Sequence, residues 1–402
     1  MKFGGTSVAD PEKILRAAER AVRARKEGSD VVVVVSAPGE MTDELIALAQ
    51  RVSQEPDARE MDVLLATGEQ MSIALFAMAC RSLGCPAVSL TGPQAGIHAD
   101  DRHTRSRILE IRPQKIFSEL RAGRICVVAG FQAVNPNSDV TTLGRGGSDL
   151  SAVALAAVLR ASGCEIFTDV KGVYTADPRI VPDARKIASL SYEEMLELAG
   201  AGAQVMQARS IDLAHRYGVR IHVRSAFHPV AGTWIEKAEE KRMEDATVSS
   251  LALDKGEVRL TLVEVPDKPG IAARVLTELA KKEIAVDMIV QSAPTQAGVN
   301  DISLMTPRAT SEAARATLEA LARRIGAKRV DITEQVAKVT VVGTGFRRHA
   351  GIAAKMFGTL ADAGINIHMI TTSDLKLCCI VDARHAESAL RALHKAFKLG
   401  RR

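Results

Sequence analysis

The chain has 402 residues, 47% of them apolar and 25% charged, and a formal net charge of +5. This is an ordinary globular mixture, long enough for two or three domains, and it excludes a collagen-like or largely disordered chain. The mild charge, the lack of a dense Lys/Arg block and the 9 Phe, 3 Tyr and 1 Trp argue against nucleic acid as a partner, and no purely apolar run, Val31–Val35 included, approaches the length of a membrane span.

At the N-terminus, Lys2-Phe3-Gly4-Gly5-Thr6-Ser7 has no apolar signal core, so a cytoplasmic protein is expected. It puts a cation beside two glycines and two hydroxyls, ahead of a helical segment from Pro11 to Arg25. Adjacent glycines let backbone N–H groups approach phosphate oxygens, although an ordinary Gly-Gly turn reads equally well. Val31–Val35 is a strand buried on both faces, ending at Ser36, and Asp43–Val52 has helical spacing. Cys126–Gly130 reads as another buried strand. The segment Thr141-Thr142-Leu143-Gly144-Arg145-Gly146-Gly147-Ser148-Asp149 precedes an Ala- and Leu-rich helix at 151–159. Its glycines, Arg145, Ser148 and Asp149 suit a loop for an anion or a metal–phosphate group, and no GK[ST] follows to make it a Walker P-loop. Cys164–Thr168 is a strand that runs into Thr168-Asp169-Val170-Lys171-Gly172-Val173-Tyr174-Thr175-Ala176-Asp177-Pro178-Arg179, where nucleotides bind in α/β sheets. Helix 192–199 and strand 219–223 complete an alternation that predicts an open, largely parallel αβα sandwich. The six cysteines show no metal spacing and read as reduced core thiols, and no metal-ligating set is apparent.

The charged stretch 236–247 is read as a linker. Beyond it, Gly270-Ile271-Ala272-Ala273 recurs as Gly351-Ile352-Ala353-Ala354, an offset of 81 that also pairs Leu279 with Leu360 and Met288 with Met369. A constant offset marks an internal repeat. The first copy reads βαββαβ; the second lacks a fourth strand, and residues 248–253, a spare strand ahead of the first copy, are expected to complete it. The domains are therefore expected as 1–235, 258–335 inserted as the first repeat, and 248–257 with 336–402 as the second.

Taken together, KFGGTSV (2–8), VVVVVSA (31–37), TDEL (42–45), LTGPQAGI (90–97), VAGFQAVNPNSDVTTLGRGGSD (128–149), TDVKGVYTADPRIV (168–181) and a tail with DKPG (267–270) resemble the aspartate kinases of the amino-acid kinase superfamily, with tandem ferredoxin-like ACT domains. The resemblance implies transfer of phosphate from ATP, with Mg²⁺, to L-aspartate. It gives Lys2 and Asp149 catalytic roles, and Lys2, Phe3, Gly4, Gly5, Ser36, Thr168, Asp169, Tyr174, Asp177, Arg179 and Gln204 to ATP. Thr42, Glu69, Arg145, Gly146, Gly147 and Ser148 would hold aspartate. In the ACT modules, Asp267, Gly270, Ile271, Ala272, Asp287, Gln291, Ile365, Asn366 and Ile367 are candidates for binding lysine or threonine. The pairing of such modules implies a homodimer, or an assembly with a short regulatory subunit begun near Met243.

Three departures stand out. The family usually has a short apolar strand before the Lys of KFGG, where here Lys2 follows Met1. A Lys expected in a GAKV-like segment is Gln204, and a His-Pro-Gly in the second ACT module is His349-Ala350-Gly351, with Ala353 in place of a Thr. Another amino-acid kinase, acting on glutamate, acetylglutamate or UMP, and a non-catalytic amino-acid sensor are the competing readings.

Overall fold

The computed structural model describes residues 1–203, 205–238, 247–295, 298–346 and 349–400. They group into two units, one built from 1–173, 186–199 and 205–238, the other from 174–185, 200–203 and the described residues from 247 onward.

The first unit runs β1 (Lys2–Phe3), α1 (Pro11–Lys26), β2 (Val32–Val35), α2 (Met41–Val52), α3 (Ala58–Ser82), β3 (Ala87–Leu90), β4 (Ile97–Ala99), β5 (Ile108–Ile111), α4 (Gln114–Arg121), β6 (Ile125–Ala129), β7 (Gln132–Val134) and β8 (Val140–Thr142). It continues with α5 (Gly147–Val158), β9 (Cys164–Thr168), β10 (Ser189–Ser191), α6 (Tyr192–Gly200), α7 (Ala208–Tyr217), β11 (Ile221–Ser225) and β12 (Thr233–Glu236). The main sheet has eight strands in the order β10-β12-β11-β9-β1-β2-β6-β3, parallel throughout except between β11 and β12. Its interior strands are apolar on both faces because helices cover both, which is why β2, β6 and β9 are legible as short apolar runs. Lys2–Phe3, which directly follow Met1, pair with β2 on one side and β9 on the other. The ring of Phe3 stacks on Phe167 at 4.7 Å between centroids, inside a core that also holds Val33, Val35, Phe76 and Val127.

α1 starts where Asp10 accepts from the Lys13 N–H, has Pro11 in its first turn, and buries Ile14, Ala17, Ala18, Ala21 and Val22. α3 is 25 residues long, is capped by Asp57 through the Arg59 and Glu60 N–H groups, and was not apparent in the sequence. Its periodicity is blurred: Asp62, Glu69 and Ser72 lie on its buried face while Val63, Met71, Leu75 and Met78 are exposed. In length and composition this helix could cross a bilayer, but over half of that apolar stretch is buried within the protein. A second, four-stranded sheet, β5-β4-β7-β8, packs against α3 through β8.

The second unit holds β13 (Thr247–Asp254), β14 (Glu257–Pro266), α8 (Ile271–Lys281), β15 (Ile289–Gln291), β16 (Val299–Pro307), α9 (Ser311–Ile325) and β17 (Arg329–Thr333). After these come β18 (Val336–Thr344), α10 (Ala350–Asp362), β19 (Met369–Thr372), β20 (Lys376–Asp382) and α11 (Ala386–Ala396). They form two antiparallel sheets, β15-β16-β14-β17 and β13-β18-β20-β19. β13 precedes the first repeat in sequence yet pairs with β18 of the second, Leu251 opposite Val341. Each sheet carries its two helices over its own core, and Met288, Met305, Val336, Met369, Cys378 and Ile380 form a smaller apolar cluster shared by the two repeats. Beside it, the buried Lys338 ammonium lies 2.6 Å from Asp287 and 3.2 Å from Glu257.

Residues 174–185 fall inside the span 1–235 expected from sequence as one domain, but they pack with the second repeat. Ala176, Val181 and Ala184 enter its core, and Leu251 N–H donates to the Thr175 carbonyl at 2.8 Å. All six cysteines are buried thiols, and burial pushes Cys80, Cys126 and Cys379 up to about 12.

Candidate active site

The register of the parallel strands sets the site. Phe3 is level with Val35 and with Phe167, so Gly4, Ser36 and Thr168 leave the sheet side by side at its carboxyl edge. Ser36 N–H donates to the Phe3 carbonyl at 3.2 Å and Gly4 N–H to the Phe167 carbonyl at 3.3 Å. Phe3 itself is fully buried, so its side chain serves the core and only its main chain remains for a ligand. At Gly5 a Cβ would fall 2.7 Å from the Ala37 carbonyl and 2.9 Å from that of Gly39, so two backbone segments can meet here only without a side chain.

Above this edge sits the first turn of α5. Lys2 Nζ lies 2.7 Å from Asp149 Oδ1, with both side chains about nine-tenths buried. Gly146, at φ +71°, is the residue before the helix, and no side chain caps the helix's leading N–H groups. The corner thus holds a buried ammonium, the carboxylate that orients it and a helix N-terminus with leading N–H groups that no side chain caps, donors of the kind that bind phosphate. Ser148 is packed against Gly130 at the end of β6, where a Cβ on the glycine would come within 2.8 Å of it. Arg145 is exposed and forms no ion pair with a described residue.

Glu69, on the buried face of α3, accepts from the Ala37 N–H through Oε1 at 3.0 Å, while its buried Oε2 has no partner among the described residues. Burial pushes its carboxyl up to about 7. Thr42 lies half-buried in the first turn of α2. Thr168 Oγ1 donates to Asp169 Oδ1 at 3.0 Å at the end of β9.

Other expected residues fall in the second unit. Arg179 grips Asp177 through Nε at 3.0 Å and Nη2 at 2.7 Å, which holds the Asp177 carboxyl below its usual range, and Tyr174 packs on the second repeat's core. Gln204 lies outside the described residues. Asp267 accepts from Asn300 Nδ2 at 3.0 Å near Gly270, Ile271 and Ala272 at the start of α8, and Gln291 is exposed on edge strand β15. Asp287 is committed to Lys338. Ile365 is a core residue of the second repeat, Ile367 packs against that core, and Asn366 between them is exposed. Sequence reasoning did not single out Asp62, His103 or Arg209, although Asp62 stands seven residues before Glu69, two helical turns away on the same face.

A family model for the amino acid kinase family matches residues 1–225, and ACT domain models match 259–326 and 339–397. An aspartate kinase of Pseudomonas putida is 46% identical over 398 residues, covering 99% of this chain and 97% of the relative. The chain belongs to the aspartate kinase family. An aspartokinase of Mycolicibacterium smegmatis is likewise 46% identical, over 402 residues, covering 99% of this chain and 96% of its own. Among solved structures, aspartokinase III of E. coli in complex with aspartate and ADP matches with a TM-score of 0.82 at 27% identity, over 98% of each chain. The same enzyme in complex with lysine and aspartate matches with a TM-score of 0.76. An aspartate kinase is an ATP-dependent phosphotransferase, and this one joins its kinase fold to two ACT domains.

Proposed function

We propose that the carboxyl edge of the main sheet binds ATP and L-aspartate and moves the γ-phosphoryl group onto the aspartate β-carboxylate, giving ADP and 4-phospho-L-aspartate. The observation that carries this reading is the buried Lys2–Asp149 pair at 2.7 Å, where β1 meets the first turn of α5. A carboxylate is already ionised at neutral pH, so the nucleophile needs no strong base. What remains is in-line positioning and neutralisation of phosphate charge. Lys2, Gly4, Gly5, Ser36 and the α5 N-terminus serve the phosphates, with Asp149 holding Lys2 in place. Thr168 and Asp169 take the nucleoside, and the family resemblance gives Tyr174, Asp177 and Arg179 to ATP as well. The described residues offer single carboxylates here rather than a cluster of three ligands, a donor set that suits Mg²⁺ carried on nucleotide phosphates with water. That cation would neutralise phosphate charge, and Asp149 is the carboxylate that would help hold it.

Arg145, exposed and without an ion pair among the described residues, would take the α-carboxylate with two parallel hydrogen bonds. Glu69 Oε2 would accept from the α-ammonium, and Thr42 and Ser148 would complete the aspartate site. Lysine or threonine is proposed as effector at the ACT domains. The assembly is proposed as a homodimer, or as a complex with a short subunit begun near Met243, a residue outside those described.

The test is turnover of the purified protein with ATP and MgCl₂ and either aspartate, glutamate or UMP, read as ADP release and trapping of the acyl phosphate by hydroxylamine. Aspartate alone should support both signals. Arg145→Ala should raise the aspartate KM by roughly 10- to 100-fold, the scale of losing a charge-assisted bidentate contact. An unchanged KM removes Arg145 from the site.

A further inference from the structure

We infer that Asp62, acting through Thr142, is a positioning residue for aspartate binding: a buried carboxylate that fixes the loop from which Arg145 projects. The inference rests on the reading that Arg145 grips aspartate.

Asp62 is fully buried on α3. Its Oδ1 accepts from Thr142 Oγ1 at 2.5 Å and its Oδ2 from His103 Nδ1 at 2.7 Å, and the Thr104 N–H reaches both oxygens at 3.0 Å. An ionised carboxylate accepts and cannot donate; the Thr104 N–H is a donor outright, and the Thr142 hydroxyl and His103 Nδ1 can each donate to it. Thr104 sits at φ +66°, a left-handed conformation that a β-branched residue adopts only when its surroundings impose it. The Asp62 carboxylate supplies that constraint.

The segment so held is the floor of the Arg145 loop. Ser106 donates to the Thr142 carbonyl from both its N–H, at 2.8 Å, and its Oγ, at 3.0 Å. The Thr104 carbonyl lies 3.3 Å from where a Cβ on Gly144 would be. From the other side Arg209 of α7 bridges the two strands of the loop, donating to the Leu143 carbonyl at 2.8 Å and to the Ser106 carbonyl at 3.2 Å. Gly147 N–H then closes the turn onto the Gly144 carbonyl at 2.9 Å. Arg145 has no ion-pair partner of its own among the described residues, and it projects from this backbone. A guanidinium must match a carboxylate plane to form two parallel bonds, and a small rotation of the loop costs one of them.

Separate KM values for aspartate and ATP test this in Asp62→Asn, Thr142→Val, Thr142→Ser and Arg145→Ala. Asp62→Asn puts an amide donor among donors and should raise the aspartate KM about 10-fold or more; Thr142→Val, which removes one hydroxyl, should raise it about 5-fold. The ATP KM should stay within about twofold, and Thr142→Ser, which keeps the hydroxyl, should restore the aspartate KM to within about twofold. Because Asp62 acts through Arg145, adding Asp62→Asn to Arg145→Ala should raise the aspartate KM by less than about twofold. If Asp62→Asn fails to fold, Thr142→Val decides. Unchanged aspartate KM values, equal losses for both substrates, or full additivity with Arg145→Ala would each overturn the inference. Should Arg145→Ala itself leave the aspartate KM unchanged, the parent reading falls and this one with it. Should it raise the KM while Thr142→Val and Asp62→Asn do not, only this inference falls.

Discussion

Glu69 is a carboxyl buried on a helix face, and that burial pushes it up to about 7 even though the Ala37 N–H bound to Oε1 pulls the other way; Oε2 has no partner among the described residues. Such a raised carboxyl is protonated, and tolerated, below its folded value; ionising it as pH rises through about 7 costs stability unless a cation arrives. The α-ammonium of aspartate is that cation in the proposed site. The aspartate KM should therefore fall as pH rises from about 6 to 8, with an inflection near 7 that Glu69→Gln removes while raising KM throughout. A pH profile that keeps its inflection in Glu69→Gln would assign the titration to another group. The contrast with Asp62 shows what residue-level reading can reach. Arg145 and Asp149 announce themselves because they stand among glycines, a setting that a plain structural loop does not need, whereas Lys2 beside Gly4 and Gly5 reads equally well as an ordinary turn until the family resemblance is added. Glu69 enters through family resemblance, and Asp62 carries no local signal at all, since one acid in a helical stretch ordinarily reads as a solvated position.

At the scale of elements, legibility follows burial on both faces. β2, β6 and β9 are short apolar runs and stand out, whereas β4, β7 and β8 have three residues each, too few to show a period. α3 is hidden because the active-site edge draws polar residues onto its inner face. One tightly constrained junction is where α5 begins beside the start of α7. Gly146 combines φ +71° with a contact that leaves no room: a Cβ would fall 1.9 Å from Gln207 Cγ. Gly146→Ala should destabilise the protein by about 1–3 kcal/mol through backbone strain, and more if Gln207 cannot turn away. Denaturant unfolding measures that loss. It should come with a weaker hold on aspartate, because the displaced residues lie next to Arg145 and Ser148; wild-type stability would mean that the turn relaxes without cost.

For the molecule as a whole, the internal repeat was readable from its constant offset, and the pairing of β13 with β18 follows from a copy that is one strand short. What the linear order hides is that residues 174–185 are held by the far end of the chain. Thr175 Oγ1 donates to the Leu399 carbonyl at 3.1 Å, accepts from the Arg185 N–H at 3.0 Å and lies 3.0 Å from Nε2 of the buried His394 on α11. A separation of 219 residues between Thr175 and His394 is invisible to periodicity. Burial lowers the His394 pKa, and the Asp183 carboxylate, 3.8 Å from Nδ1, only partly opposes this. The neutral ring is therefore the form that the fold accepts. Its contribution to stability is complete above the unfolded value, about 6.5, and is lost as pH falls through the lower folded value. Wild-type protein should thus lose more Tm between about pH 7 and pH 5 than His394→Gln, whose amide cannot titrate. Amide hydrogen exchange of residues 174–185, corrected for its intrinsic pH dependence, should lose more protection between the same two pH values in the wild type than in His394→Gln. Parallel Tm profiles for the two proteins would show that protonation of His394 is not what the acid side of the curve reports.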